Sequence, residues 1–182
     1  VRSRGLGDVY KRQQQNAGFT HWAKLNNLKQ AAKTMNFLTE HGIGSYGELE
    51  SKLAAVSARR DIAHAEIKRI ESRSAELTLV MKHAGTYRQL KPLYDRYRKS
   101  NDKEKFLRGH ESEIILFEAA ARELKRLGAV PLPTTESMKT ELANLNAEKE
   151  RLLAEYKAAR TEAQEYDTVK QNVDALLTVP KE

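Results

Sequence analysis

Tyr46-Gly-Glu-Leu-Glu-Ser-Lys-Leu-Ala-Ala-Val-Ser-Ala-Arg-Arg60-Asp-Ile-Ala-His-Ala-Glu-Ile67-Lys-Arg-Ile70-Glu-Ser-Arg-Ser74-Ala-Glu-Leu77-Thr-Leu-Val-Met81-Lys-His-Ala84 is the stretch that decides the fold. Tyr46, Leu49, Leu53, Val56, Arg60, Ala63, Ile67, Ile70, Ser74, Leu77, Met81 and Ala84 follow one another by alternating steps of three and four. Only Arg60 and Ser74 are not apolar. A sustained period of 3.5 residues keeps one stripe facing a partner helix, which is the coiled-coil signature. Just before it, Ser45 and Glu48 have the spacing of a capping box.

The last third of the chain carries the matching stripe. Met138, Leu142, Leu145, Lys149, Leu152, Tyr156, Ala159, Ala163, Tyr166, Lys170, Val173 and Leu177 alternate four and three, and only Lys149 and Lys170 interrupt. A helix of about 40 residues spans roughly 60 Å at 1.5 Å per residue. A stripe of that length needs a partner of similar length, and Tyr46 to Ala84 supplies one. The expected fold is all-α: an elongated antiparallel helical hairpin, coiled-coil-like, with short additional helices. The stripes pair either within one chain or between two, as a homodimer. Polar residues in such a seam lower stability but can fix register.

Between the stripes lie the shorter elements. The stripe slips phase at Gly85 and continues through Tyr87, Leu90, Tyr94 and Tyr97. Pro92 lacks a backbone donor and crowds the preceding turn, so a kink is expected there. Ser100-Asn-Asp102 reads as a turn. A third helix follows with Phe106, Leu107, Ile114, Phe117, Ala121 and Leu124 on its apolar face. Gly128 ends it, and Ala129-Val-Pro-Leu-Pro133 is a loop because two prolines block helix. Thr134 is placed to cap the last helix. Upstream, Trp22, Leu25, Leu28, Ala32, Met35 and Leu38 form an apolar face after a Thr20 cap, and His41-Gly42 closes that helix. The expected segments are a non-native or disordered tail over 1–13, an N-terminal helix within 14–42, a long heptad helix over 43–100, a short helix over 103–128 and the return helix over 134–178.

Residues 1–13, Val1-Arg-Ser-Arg-Gly-Leu-Gly-Asp-Val-Tyr-Lys-Arg-Gln13, are similar to a translated sequencing-adapter remnant and are set aside from fold reasoning. Arg2, Arg4, Lys11 and Arg12 against Asp8 supply +3 of the formal +7, leaving +4 for the rest. Most of the apparent attraction to polyanions therefore has to come from local clustering. Hydrophobic content of 40% with 9 Gly and 4 Pro excludes a disordered chain and an all-β fold. The absence of cysteine excludes a disulfide scaffold, thiol catalysis and thiolate metal sites, and it fits a cytoplasmic chain. No apolar run approaches the roughly 18 residues of a membrane span, so no membrane partner is expected.

Chemistry is sparse. His21, His41, His64, His83 and His110 share no i, i+4 spacing that would hold a metal on one helix face. No cofactor is expected. Gly42-Ile-Gly44 lacks the Gly-Lys-Ser/Thr of a phosphate loop. His110 has the placement for a contact inside the third helix, yet no nucleophile or carboxylate cluster accompanies it. The best binding segment runs from Lys82 to Arg108, where nine cations oppose Asp95, Asp102 and Glu104 for a net +6. The candidate nucleic-acid contacts are Arg88, Lys91, Arg96, Arg98, Lys99, Lys103 and Lys105, with Tyr94 and Tyr97 interleaved. Cations neutralise phosphates and rings stack on unpaired bases. At helical spacing the same tyrosines also suit a core, and the same charges a solvated face.

Several landmarks resemble, in order, the helical region downstream of the catalytic domain in relaxases, the mobilization nucleases of conjugative and mobilizable elements. They are Ala17-Gly-Phe-Thr-His-Trp22 with the helix to Gly42; Tyr87 through Tyr94-Asp-Arg-Tyr97-Arg-Lys99; Lys105-Phe-Leu107 and His110-Glu-Ser-Glu-Ile114; Leu132-Pro-Thr134; Glu155-Tyr156 with Ala159-Arg160; and Val169-Lys-Gln-Asn-Val-Asp174. The similarity spreads over most of residues 17–177. In that family a tyrosine attacks a DNA phosphate beside a metal held by clustered histidines. This chain has no such histidine motif, and no catalytic residue carries over. The resemblance implies a non-catalytic accessory region that contacts transfer DNA, either single-stranded or at the origin, or that contacts relaxosome or coupling proteins. A free-standing coiled-coil scaffold and a general DNA- or RNA-binding helical module are the other two functions the pattern allows.

Overall fold

In the computed structural model the chain is described over residues 24–178. The expectations for residues 1–13, Thr20, His21 and Trp22 lie outside the described residues. Every regular element is helical: α1 over 24–40, α2 Tyr46–Lys99, α3 Lys103–Arg126 and α4 Thr135–Leu177. The fold is all-α, and among the described residues there is no strand.

The helix ends follow from local sequence. The Glu48 N–H donates to Ser45 Oγ at 3.2 Å, while the Glu48 carboxylate accepts from Gly44 N–H at 2.6 Å. The carboxylate thus reaches one residue beyond the usual capping-box donor. Asp102 caps α3 by accepting from Lys105 N–H at 3.0 Å, and Thr134 caps α4 by accepting from Ser137 N–H at 3.1 Å. Gly42 and Gly128 sit at φ 59° and 68°, where the chain leaves α1 and α3 in the left-handed turn that favours glycine.

The contacts divide into two units. In the first, residues 24–60 with 157–178, the first part of α2 runs antiparallel to the end of α4. Tyr46 donates to Asp174 at 2.6 Å, and Arg59 pairs with Glu162. Leu49, Val56, Ala163, Tyr166 and Val169 form the core. Lys170, a cation in the seam, reaches Asp174 at 3.2 Å and lies 5.2 Å from the Tyr46 ring. Its ammonium is held protonated well above the usual lysine range, first by Tyr46 and then by Asp174.

In the second unit, residues 61–156, α2 and α4 again run antiparallel. Glu71 pairs with Lys149 at 2.9 Å and Arg73 with Glu141 at 2.8 Å. Ile67, Ile70 and Leu152 make one buried cluster; Leu77, Val80, Ala84, Leu124, Ala129 and Met138 make another, where α3 joins. The heptad stripes pack on one another within the chain in each unit. Of the seam residues, Leu53 and Leu145 are half-buried, and Leu177 at the end of α4 is exposed.

One expectation is corrected. α1 does not bury Leu25, Leu28 and Met35, which are 46%, 66% and 60% exposed. Its inner face is Thr34, Phe37 and Leu38. Phe37 meets Tyr166 edge-on at 5.1 Å, and Thr34 Oγ1 accepts from Asn172 Nδ2 at 3.2 Å. Burying the phenyl ring rotates the helix away from the aliphatic face, which stays open. α2 is helical through Pro92 to Lys99, and α3 departs from helical dihedrals at His110 (φ −142°, ψ 25°). Tyr87 and Tyr94, on turns either side of the proline, both stack on Phe117.

Ser74 Oγ is buried in the seam with no hydrogen-bond partner among the described residues. A buried hydroxyl without a partner costs more than the methyl that would replace it. Ser74→Ala is expected to leave the melting temperature unchanged or raise it, by up to roughly 1 kcal/mol of stability. A loss of that size in thermal unfolding would show that the hydroxyl is bonded.

Candidate nucleic-acid interface

The basic stretch occupies the end of α2, the Ser100–Asp102 turn and the start of α3, all in the second unit. A cation binds phosphate well only if nothing in the protein already holds it. Arg88 is held: it donates to Thr135 Oγ1 at 2.7 Å and to the Pro133 carbonyl, bracing the start of α4. Lys91 pairs with Asp95 at 2.9 Å, and that carboxylate raises its pKa. Arg96 lies over the Phe106 ring at 5.8 Å, a cation–π contact that leaves its edge donors open. Arg98, Lys99, Lys103 and Lys105 form no ion pair with the described residues, and neither does Arg108. Asp102 spends its carboxylate on the α3 cap.

The candidate cations of the sequence therefore fall into two populations. Arg88 and Lys91 are structural. Arg98, Lys99, Lys103 and Lys105 are the available cations, and Arg108 joins them. Arg108 closes the basic stretch but is not among the candidate contacts, because its place in α3 gives no sign in the sequence that it is unpaired.

The tyrosines are also engaged. Phe117 stacks on Tyr94 at 4.2 Å and on Tyr87 at 4.8 Å. Tyr94 meets Tyr97 at 5.9 Å, Tyr97 meets Phe106 at 6.1 Å, and Phe106 meets His110 at 4.8 Å. This ladder fastens α3 to α2. A groove of about 450 Å³ runs beside it, lined by Tyr87, Tyr94 and Phe117 together with Lys91, Asp95, Arg98 and Lys99.

His110 makes its contact with Glu113, at 3.7 Å, rather than with the adjacent Glu111. The Glu113 carboxyl is held below its ordinary pKa, chiefly by its own backbone N–H and by Ser112. Among the described residues no group of three or more His, Asp or Glu could hold a metal ion. No described helix is long and apolar enough to cross a membrane.

The first unit has a larger groove of about 590 Å³ between α1 and α4, where Lys29 and Lys33 face Glu165 among amides and hydroxyls. Two cations against one carboxylate make it a weaker polyanion site than the α2–α3 end. Comparison with protein-family models, with curated proteins and with solved structures returned no match.

Proposed function

We propose that this chain is a non-catalytic helical accessory region of a DNA relaxase or mobilization protein, supporting DNA transfer by holding DNA at the α2–α3 end. The ordered landmarks shared with that family support the assignment. The observation that carries the DNA contact is the set of five cations between Arg98 and Arg108 with no ion pair among the described residues. Free cations release counterions from phosphate, so each contact adds to the salt dependence of binding.

The test is a gel shift in low salt with the unmodified chain and with Arg98, Lys99, Lys103, Lys105 and Arg108 all changed to Gln. The five changes are expected to abolish binding. Smaller sets are expected to flatten the salt slope by about one unit per lost contact. Changing Lys91 to Gln alone should matter little, because that ammonium is already paired. Identical binding by the parent and the five-fold variant would remove this segment as the interface.

A second reading has its own support. The open aliphatic face of α1, with Leu25, Leu28 and Met35 exposed, suits contact with a relaxosome or coupling protein. Failure of the unmodified chain to bind DNA at all would leave that protein contact as the function.

A further inference from the structure

α1 has two faces, and one of them is covered. Phe37 and Thr34 hold it to α4, through Tyr166 at 5.1 Å and Asn172 at 3.2 Å. On the opposite side Leu25, Leu28, Ala32 and Met35 are all exposed. They follow one another by steps of three, four and three. That is the a and d spacing of a heptad, the same period that pairs α2 with α4. Here no described helix covers the seam.

The flanks of this seam are basic. With Leu25 at a and Leu28 at d, Lys24 falls at g and Lys29 at e, and Lys33 lies one turn beyond Lys29. All three lysines are exposed, and none forms an ion pair with the described residues. Glu165 lines the α1–α4 groove with Lys29 and Lys33 but pairs with neither. Within α1 the single carboxylate is Glu40, at the far end of the helix.

We propose that this seam docks one acidic amphipathic helix of a partner protein, with apolar residues at a and d and Asp or Glu at e and g. The proposal rests on the protein contact read from α1 above and is independent of DNA holding. Charge argues against a second copy as the occupant. Positions e and g hold Lys24, Lys29, Ala31, Asn36 and Leu38, so self-pairing in either direction supplies no carboxylate there. Parallel pairing would also set Lys24 against Lys29, and e and g charges choose coiled-coil partners. Width argues against a lipid surface. An interfacial helix buries a broad apolar face, whereas a strict a/d stripe is the narrower seam of a coiled coil. Lys24, Lys29 and Asn36 close this one on both sides.

The test uses the full chain and a labelled synthetic peptide of about three heptads, long enough to form helix, with Leu at a and d and Glu at e and g. A second peptide carries Lys at e and g. The acidic peptide is expected to bind about ten-fold or more tighter than the basic one, and the preference should shrink as salt rises. Changing Leu25, Leu28 and Met35 together to Gln should abolish binding with an unchanged melting temperature, because the three side chains are exposed. Changing Lys24, Lys29 and Lys33 to Glu should reverse the preference. The five-fold Gln variant of the α2–α3 end should bind the acidic peptide as the parent does.

Equal binding of both peptides, lost in the Leu25, Leu28 and Met35 variant, would overturn the acidic partner while leaving a protein contact at α1. Loss of peptide binding in the α2–α3 variant would place the peptide at that end and overturn the proposal. So would a dimer in sedimentation velocity that the Leu25, Leu28 and Met35 changes disperse, since a second copy would then be the occupant. Binding to phosphatidylcholine–phosphatidylglycerol vesicles that the same changes abolish would give the seam to lipid. Binding of neither peptide would remove the protein contact at α1 altogether.

Discussion

Ile70→Ala is expected to cost about 2–5 kcal/mol of unfolding free energy. Ile70 is fully buried, in a cluster with Ile67 and Leu152, and half-buried Leu145, Leu153 and Tyr156 pack around that cluster. Truncation removes three carbons from a site whose walls are two helices. Those helices are held in register by Glu71–Lys149 at 2.9 Å and Arg73–Glu141 at 2.8 Å, so they are poorly placed to collapse into the void. The pairs themselves are exposed and contribute little energy. Their effect is on alignment, and the loss should therefore lie toward the upper half of the range. Ile62→Ala is the control: Ile62 lies on the same helix, but it is 66% exposed and should cost well under 1 kcal/mol. Urea unfolding followed by helical circular dichroism reads both. A cost below about 0.5 kcal/mol for Ile70→Ala would mean that the stripe is not a core within the chain.

That stripe was legible because a heptad repeat states its own partner. Each of the two long stripes is too long to be covered by anything but the other, and the two lysines that interrupt the α4 stripe lie where a carboxylate reaches them. Lys149 finds Glu71 and Lys170 finds Asp174. The caps at Ser45 and Thr134 were legible too, because each acts on a residue three positions away, whereas Asp102 read only as part of a turn. The orientation of α1 was not. Its apolar residues offer two faces, and the choice depends on Phe37 meeting Tyr166, some 130 positions distant, which no local period reports. The candidate site was half visible. Charge clustering marked the segment, whereas which cations are spoken for depends on Thr135 and the Pro133 carbonyl across the unit. One signal was available: Tyr87, Tyr94 and Tyr97 stand on one face of α2, Phe106 and Phe117 on one face of α3, and a three-residue turn forces those faces together.

Phe117→Ala is the second large effect, expected at about 3–5 kcal/mol. The ring is buried and stacks on both Tyr87 and Tyr94, so its loss strips the contact that carries α3 against the last turns of α2. Loss of stability should be local. Leu124 and Ala129 still anchor the far end of α3 among Leu77, Val80 and Met138. Hydrogen exchange should therefore accelerate from the Ser100–Asp102 turn to about Ile114 and along α2 beyond Pro92, while the Ile67–Ile70 turns stay protected. The tyrosine near-ultraviolet dichroism should fall with it. The same change bears on DNA. With Phe117 gone, Tyr87 and Tyr94 lose the ring they stack on, while Arg98 and Lys99 keep their charge. Binding to single-stranded DNA should rise relative to duplex, since a free ring can stack on a base. A stability cost under about 1 kcal/mol with an unchanged tyrosine signal would show that the ladder is not what joins α3 to α2. An unchanged ratio of single-strand to duplex binding, in a variant whose exchange has accelerated as described, would show that Tyr87 and Tyr94 do not stack on bases once Phe117 is gone.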